Sequence, residues 1–100
     1  MSKATRIIFS PKVDQRIIKT FLNEIYLRKK IAGILAGAGV DGASLQAGAG
    51  IWQGNFEPSY TLYLIGITKR KAGQIADAIK QAFTQDAVIL ERVSRDISFI

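Results

Sequence analysis

Two stretches decide the fold of this chain: Ala-Ser-Leu-Gln-Ala-Gly-Ala-Gly-Ile-Trp (residues 43–52) and Ser-Tyr-Thr-Leu-Tyr-Leu-Ile-Gly-Ile (residues 59–67). In the first, small apolar residues alternate with polar residues or glycine, which is the period of a β-strand. The second is rich in β-branched and aromatic residues, which favour strands. The residues between them, Gln53 to Pro58, have the composition of a turn. The pattern therefore predicts a β-hairpin.

The hairpin lies between two segments with a helical period. Before it, apolar residues recur at steps of three and four: Ile17, Ile18, Phe21, Leu22, Ile25, Ile31 and Leu35. We expect this helix to begin near Ser10-Pro11 or Asp14 and to end between Gly33 and Gly39, because repeated glycine is costly inside a helix. After the hairpin, Thr68 is placed to cap a second helix from Lys69 to about Gln85.

Strands are predicted at both ends of the chain. Thr5 to Phe9 forms the first, Ala87 to Val93 the last, and Ile97 to Ile100 either extends the last strand or returns as an edge strand. The order is β-α-β-β-α-β. We predict a single α+β domain over residues 1–100, a ferredoxin-like fold with two helices on one face of a four-stranded antiparallel sheet.

Charge is distributed unevenly around the hairpin. The chain has 14 basic and 8 acidic residues, a net charge of +6, yet residues 33–66 hold no lysine or arginine and eight of the nine glycines. In the predicted fold, the end of the first helix and the start of the second lie at the same end of the domain. We therefore predict a site for an anionic ligand there, formed by Arg28, Lys29, Lys30, Gly37, Gly39, Gly42, Thr68, Lys69, Arg70 and Lys71. For the first triplet, the alternative is that it stabilises the helix C-terminus.

A second surface is predicted on the sheet. Several strands are apolar on both faces, whereas two helices cover only one, so we expect a homo-oligomer, a dimer or larger, formed through the other face. The hairpin aromatic residues are assigned to core or oligomer contacts, with base stacking as the alternative: Trp52, Phe56, Tyr60 and Tyr63.

Residue content argues against several kinds of chemistry. The chain has no cysteine and no histidine, which removes thiol nucleophiles and the commonest general base. Gly37, Gly39 and Gly42 match GxGxxG, but they follow a helix and precede a strand, the reverse of the dinucleotide-binding order. Asp41 and Glu57 fall at opposite ends of a predicted strand and are not placed to act as a pair. We predict no catalytic residue, metal or cofactor, and a protein that is not an enzyme.

Short motifs in the C-terminal half carry a resemblance. The runs are Gly-Ile-Trp-Gln-Gly (residues 50–54), Glu-Pro-Ser (57–59) and Phe-Thr-Gln-Asp-Ala-Val (83–88). This pattern resembles small, largely uncharacterised α+β proteins of bacteriophages and mobile elements. The resemblance implies a compact accessory protein in the cytoplasm of a bacterial host and assigns no site residue.

The leading hypothesis from the sequence is a non-enzymatic, oligomeric protein that binds an anionic ligand, a nucleotide or oligonucleotide. In a phage, such a protein would sequester a host signalling nucleotide. Two alternatives remain: a module that binds or inhibits an acidic host protein, and a protein that binds nucleic acid non-specifically. We expect a cytoplasmic location, because the start of the chain has no signal-peptide core and the apolar run Ile31 to Val40 is too short to cross a bilayer.

Overall fold

The fold follows the predicted order of elements. A computed structural model describes residues 2–11, 20–85 and 87–95. Its elements in chain order are β1 (Ser2–Phe9), α1 (Thr20–Gly37), β2 (Ser44–Trp52), β3 (Asn55–Ile65), α2 (Lys69–Ala82) and β4 (Ile89–Arg95). The strands form one antiparallel sheet in the order β2-β3-β1-β4. The predicted α+β ferredoxin-like fold is confirmed.

Several element boundaries differ from those predicted. β1 begins at Ser2, three residues early, because Ser2 to Ala4 pair with Val93 to Arg95 of β4. Of the two predicted starts of α1, Ser10 and Pro11 are described and are not helical, whereas Asp14 lies outside the described residues. The predicted strand over Ile97 to Ile100 also lies outside them. None of the described helices is long and apolar enough to span a bilayer.

The turn of the hairpin is shorter than predicted. It contains only Gln53 and Gly54, whose φ angles of 49° and 79° are both positive, as a two-residue hairpin turn of type I′ requires. Glu57 and Pro58 belong to β3. Proline is tolerated there because β3 pairs with β1 only from Tyr60 onward, so one side of the strand has no neighbour at Pro58.

The core lies between the sheet and the helices. Ile7 and Phe9 of β1 and Leu62 and Leu64 of β3 alternate along their strands onto this face, where buried residues of both helices meet them. Among the described side chains of the helices, the buried ones are Leu27, Ile31, Ala72, Ile75, Ala76 and Ile79. Apolar burial of this kind is the main source of stability in a domain of this size.

The other face of the sheet has mixed polarity. Ile8, Ile65 and Val93 lie on it, but so do Arg6 and Glu91, whose Nε and Oε1 atoms are 3.9 Å apart. Arg6 and Glu91 face each other across β1 and β4 near the middle of the sheet. The face is therefore less apolar than the sequence led us to expect.

Candidate functional site

An open pocket lies where two loops meet at one end of the sheet. The loop from α1 to β2 contributes residues 39–43, and the loop from β3 to α2 contributes residues 66–68. Ser44, Tyr63, Ile65 and Lys71 complete the wall, and the volume of the open pocket is about 770 Å³. A space of this size is large enough for a nucleoside-sized ligand.

The first loop takes its shape from the end of α1. The last turn closes with Gly39 N donating to Ala36 O at 3.1 Å and Val40 N donating to Leu35 O at 2.9 Å. Gly39 has a φ of +71°, a backbone angle that residues with a side chain rarely adopt. A Cβ atom at Gly39 would also lie 3.8 Å from Lys71 Nζ. Glycine at this position therefore lets the loop take its conformation close to the lysine ammonium group.

The second loop is fixed by hydrogen bonds at both ends. Gly66, with a φ of +76°, turns the chain after β3, and its amide donates to Lys3 O at 3.0 Å. Thr68 is the N-cap of α2, and its Oγ1 accepts a hydrogen bond from Lys71 N at 3.1 Å. This cap helps set where the α2 backbone starts and therefore where Lys71 meets the pocket.

The predicted anion-site residues are only partly brought together. Gly39, Gly42, Thr68 and Lys71 line the pocket, whereas Gly37, the last residue of α1, does not. Lys69 and Arg70 lie beside the pocket in the first turn of α2 and are exposed. Lys71 is half-buried, and it is the only cation of the two triplets that lines the pocket.

Arg28, Lys29 and Lys30 are not at the end of α1. The helix continues for seven more residues to Gly37, about 10 Å at 1.5 Å per residue, and its last turn contains no basic residue. Lys30 Nζ instead lies 5.7 Å from the centre of the Tyr26 ring. The expected convergence of the two triplets is therefore not found, and neither is the alternative of a basic last helical turn. A binding role for this triplet stays a prediction.

The four aromatic residues of the hairpin have different environments. Tyr60 belongs with the core, its ring 5.9 Å from that of Phe9, whereas Tyr63 points to the other face of the sheet and lines the pocket. Phe56 is 78% exposed near the hairpin turn. Trp52 ends β2, and its side chain is not among those described. Tyr60 thus fills the core, and Tyr63 is the aromatic residue placed to contact a pocket ligand.

One acidic residue belongs to the pocket wall. Asp41 lines the pocket and is exposed. Among the residues that the structure describes, no group of three or more His, Cys, Asp or Glu side chains is arranged to hold a metal ion.

Comparison with known proteins identifies shared folds. A phage SAM lyase in the apo state is 25% identical, with 91% of this chain and 78% of that chain covered and a TM-score of 0.67. A phage SAM lyase in complex with S-methyl-5′-thioadenosine is 24% identical, with 94% and 81% covered and a TM-score of 0.67. A nitrogen regulatory PII-like protein from Thiomonas intermedia K12, bound to ADP, AMP and bicarbonate, is 14% identical, with 96% of both chains covered and a TM-score of 0.53. No protein-family model matches this chain, and no curated protein does.

These similarities correct one prediction from the sequence. The sequence analysis excludes enzymatic activity, and that exclusion is wrong. The same fold occurs in a phage enzyme that is 25% identical over 91% of this chain. The prediction depended on missing histidine and cysteine, and that argument covers only reactions in which the protein supplies such a base or nucleophile. The motif resemblance to phage and mobile-element proteins stays a prediction.

Proposed function

We propose that this protein is an enzyme that cleaves S-adenosylmethionine (SAM) and releases S-methyl-5′-thioadenosine. The observation that carries the proposal is the likeness to phage SAM lyase over 91% of the chain. The pocket supports it, since it combines an aromatic ring, glycine residues in the loops and one half-buried lysine residue. These groups suit a ligand with a nucleoside at one end and a carboxylate at the other.

The proposed reaction breaks the bond between the sulfonium sulfur of SAM and the γ-carbon of its methionine part. The sulfur keeps the bonding electron pair and leaves as the neutral thioether of S-methyl-5′-thioadenosine. A carboxylate oxygen of the same substrate molecule forms the new bond to the γ-carbon, which gives homoserine lactone. Atoms and charge balance without water, a proton acceptor or a cofactor.

This route fits the groups that line the pocket. The titratable lining residues are Asp41, Tyr63 and Lys71, and the chain contains no histidine or cysteine. An intramolecular displacement needs no protein nucleophile or base, because the substrate supplies its own. The protein then contributes mainly by holding the carboxylate and the γ-carbon in a reactive geometry, which gives large rate effects in intramolecular reactions.

Lys71 and Tyr63 receive the two main roles in this proposal. The ammonium group of Lys71 binds one carboxylate oxygen of SAM and leaves the other to attack. The ring of Tyr63 contacts the adenosine, as aromatic side chains do with nucleobases. Gly39 and Gly42 have no side chain, so the ligand can approach the loop backbone at these two positions.

The direct test is product analysis. Purified protein is incubated with SAM and, as a matched control, with S-adenosylhomocysteine, which has a neutral thioether in place of the sulfonium. We expect S-methyl-5′-thioadenosine and homoserine lactone from SAM and no cleavage of the control. In ¹⁸O-labelled water, freshly formed lactone carries no label. If stoichiometric protein releases no S-methyl-5′-thioadenosine above the spontaneous rate, the proposal fails.

A second candidate function is nucleotide binding without turnover. It is favoured by the cluster of Lys69, Arg70 and Lys71 in the first turn of α2, close to the pocket. Titration with ADP and AMP separates the candidates, since a nucleotide-binding protein would bind them and leave SAM intact. Sequestration of a host nucleotide in a phage-infected cytoplasm belongs to this candidate. Capture of an acidic protein, or of nucleic acid, is tested by a pull-down from lysate with and without nuclease.

Assembly through the open face of the sheet is also proposed. Ile89 is 60% exposed on this face beside Ile8, and the facing charges of Arg6 and Glu91 would favour one alignment of two copies. Light scattering at micromolar concentration measures this, and a monomer there would contradict it.

A further inference from the structure

Arg92 links β1, in the middle of the sheet, to the backbone of a loop that lines the pocket. It lies in β4 directly opposite Thr5 of β1, on the face that the helices cover. Its side chain is half-buried, and Thr5 is fully buried. No local sequence pattern distinguishes this arginine, since it stands between Glu91 and Val93 in an ordinary strand.

The guanidinium group makes two hydrogen bonds in different directions. Nε donates to Thr5 Oγ1 at 3.3 Å, and Nη2 donates to the Ile67 carbonyl oxygen at 2.7 Å. The second bond is short and charge-assisted, the stronger class of hydrogen bond. Arg92 therefore joins β1, one of the two central strands of the sheet, to the loop between β3 and α2.

The loop that Arg92 holds is part of the pocket wall. Gly66, Ile67 and Thr68 all line the pocket, and Thr68 caps the helix that carries Lys71. In a trans peptide the carbonyl and the next amide point in opposite directions, and the structure has no cis peptide bond among the described residues. By fixing the Ile67 carbonyl, Arg92 also fixes the direction of the Thr68 amide.

An arginine at this position carries an electrostatic cost as well as two hydrogen bonds. The charge lies behind the first turn of α2, where the helix dipole is positive and Lys69, Arg70 and Lys71 already add three charges. Partial burial of a guanidinium group costs further free energy. The planar guanidinium group of arginine can donate to a hydroxyl and to a carbonyl oxygen at the same time, and lysine has no such group.

We propose that Arg92 is a positioning residue for the pocket: it holds the Ile67 carbonyl and so sets the placement of Thr68 and Lys71. The identity of the ligand rests on the proposed function above, whereas the placement of the loop does not. The inference can therefore be tested both without any ligand and with the substrate.

The ligand-free test is amide hydrogen exchange. Two amides report directly on the loop, Gly66 N, which donates to Lys3 O, and Lys71 N, which donates to Thr68 Oγ1. The Arg92→Lys variant keeps the positive charge but loses the guanidinium group that donates in two directions. In this variant we expect both amides to exchange about tenfold faster, while core amides of β3 keep their exchange rates. Lys80→Met, an exposed change in the last turn of α2, is the control and should leave both rates unchanged.

The substrate test uses SAM turnover measured below the melting temperature of each variant. We expect kcat/KM of Arg92→Lys to fall about tenfold, with Lys80→Met like the wild type. A merely structural role would lower the melting temperature and leave the kcat/KM of the folded protein unchanged. If the wild type does not cleave SAM, the proposed function fails, and amide exchange still decides the role of Arg92.

A second variant covers the case in which Arg92→Lys does not fold. Thr5→Val removes the Nε acceptor and keeps the β-branched shape, and Arg92 retains its bond to Ile67. We expect a smaller acceleration of exchange, about threefold, at the Gly66 and Lys71 amides, since only the weaker anchor of Arg92 is lost. Wild-type exchange rates at both amides in every variant that folds would overturn the inference.

Discussion

The two basic triplets have the same composition, one arginine and two lysines, and differ in position. Arg28, Lys29 and Lys30 are exposed in the middle of α1, and Lys30 contacts the ring of Tyr26. Lys69, Arg70 and Lys71 form the first turn of α2, and Lys71 is half-buried in the pocket wall. Charges that face water are screened, whereas a partly desolvated ammonium group binds an anion more strongly. In the proposed site, the placement of one lysine is therefore expected to matter more than the density of positive charge.

The largest effect is expected from removing the placed charge. Lys71→Met should lower kcat/KM for SAM by about 10- to 100-fold, the range for losing one charge-assisted hydrogen bond. S-methyl-5′-thioadenosine has no carboxylate, so its dissociation constant should change by less than about twofold if Lys71 contacts only the carboxylate. Calorimetry with the product and steady-state kinetics with the substrate measure the two quantities. An equal loss for both ligands would contradict the assigned role of Lys71.

An intermediate effect is expected from the cap that precedes the second triplet. Thr68→Ala removes the acceptor for the Lys71 amide and should lower the free energy of unfolding by about 1 kcal/mol. Thr68→Ser keeps the oxygen and is the matched control. Urea denaturation measures both variants. Equal stability of the alanine and serine variants would mean that the cap seen in the structure adds nothing to the start of α2.

The smallest effect is expected from the first triplet. Lys29→Met combined with Lys30→Met should leave kcat/KM for SAM within about twofold of the wild type, because exposed charges away from the pocket act only through screened solvent. The lost contact with Tyr26 should cost about 0.5 kcal/mol of stability. A tenfold loss of turnover would instead support the ten-residue anion site that the sequence predicted.

The elements that could be predicted are those with a local pattern. The second helix and its Thr68 cap were predicted at the residue where the helix begins, and the order of strands and helices followed from two changes of period. The predicted turn, Gln53 to Pro58, is longer than the observed one, because asparagine and proline are common in turns. Whether proline is accepted in a strand depends on which sides of the strand are paired, and that is a tertiary property.

The site was less predictable than the fold. Tyr63 lines the pocket because the strand register turns it away from the core, while Tyr60 is turned toward the core. Arg92 was missed because its two partners are distant in sequence, with Thr5 87 residues away. The exclusion of enzymatic activity depends on the missing histidine and cysteine, and that argument does not cover a reaction in which the substrate supplies its own nucleophile.

The strand order also has a consequence for folding kinetics. β2 and β3 are joined by a two-residue turn and can pair early. β1, one of the two central strands, pairs with β3 and β4, which follow much later in the chain. Closing such long loops slows folding, since their entropy is lost before the contacts repay it. We expect pulsed amide labelling during refolding to detect protection in the hairpin before protection in β1. Until β1 pairs with it, the β3 edge of the hairpin stays unpaired, so the chain should be most prone to aggregate at this stage.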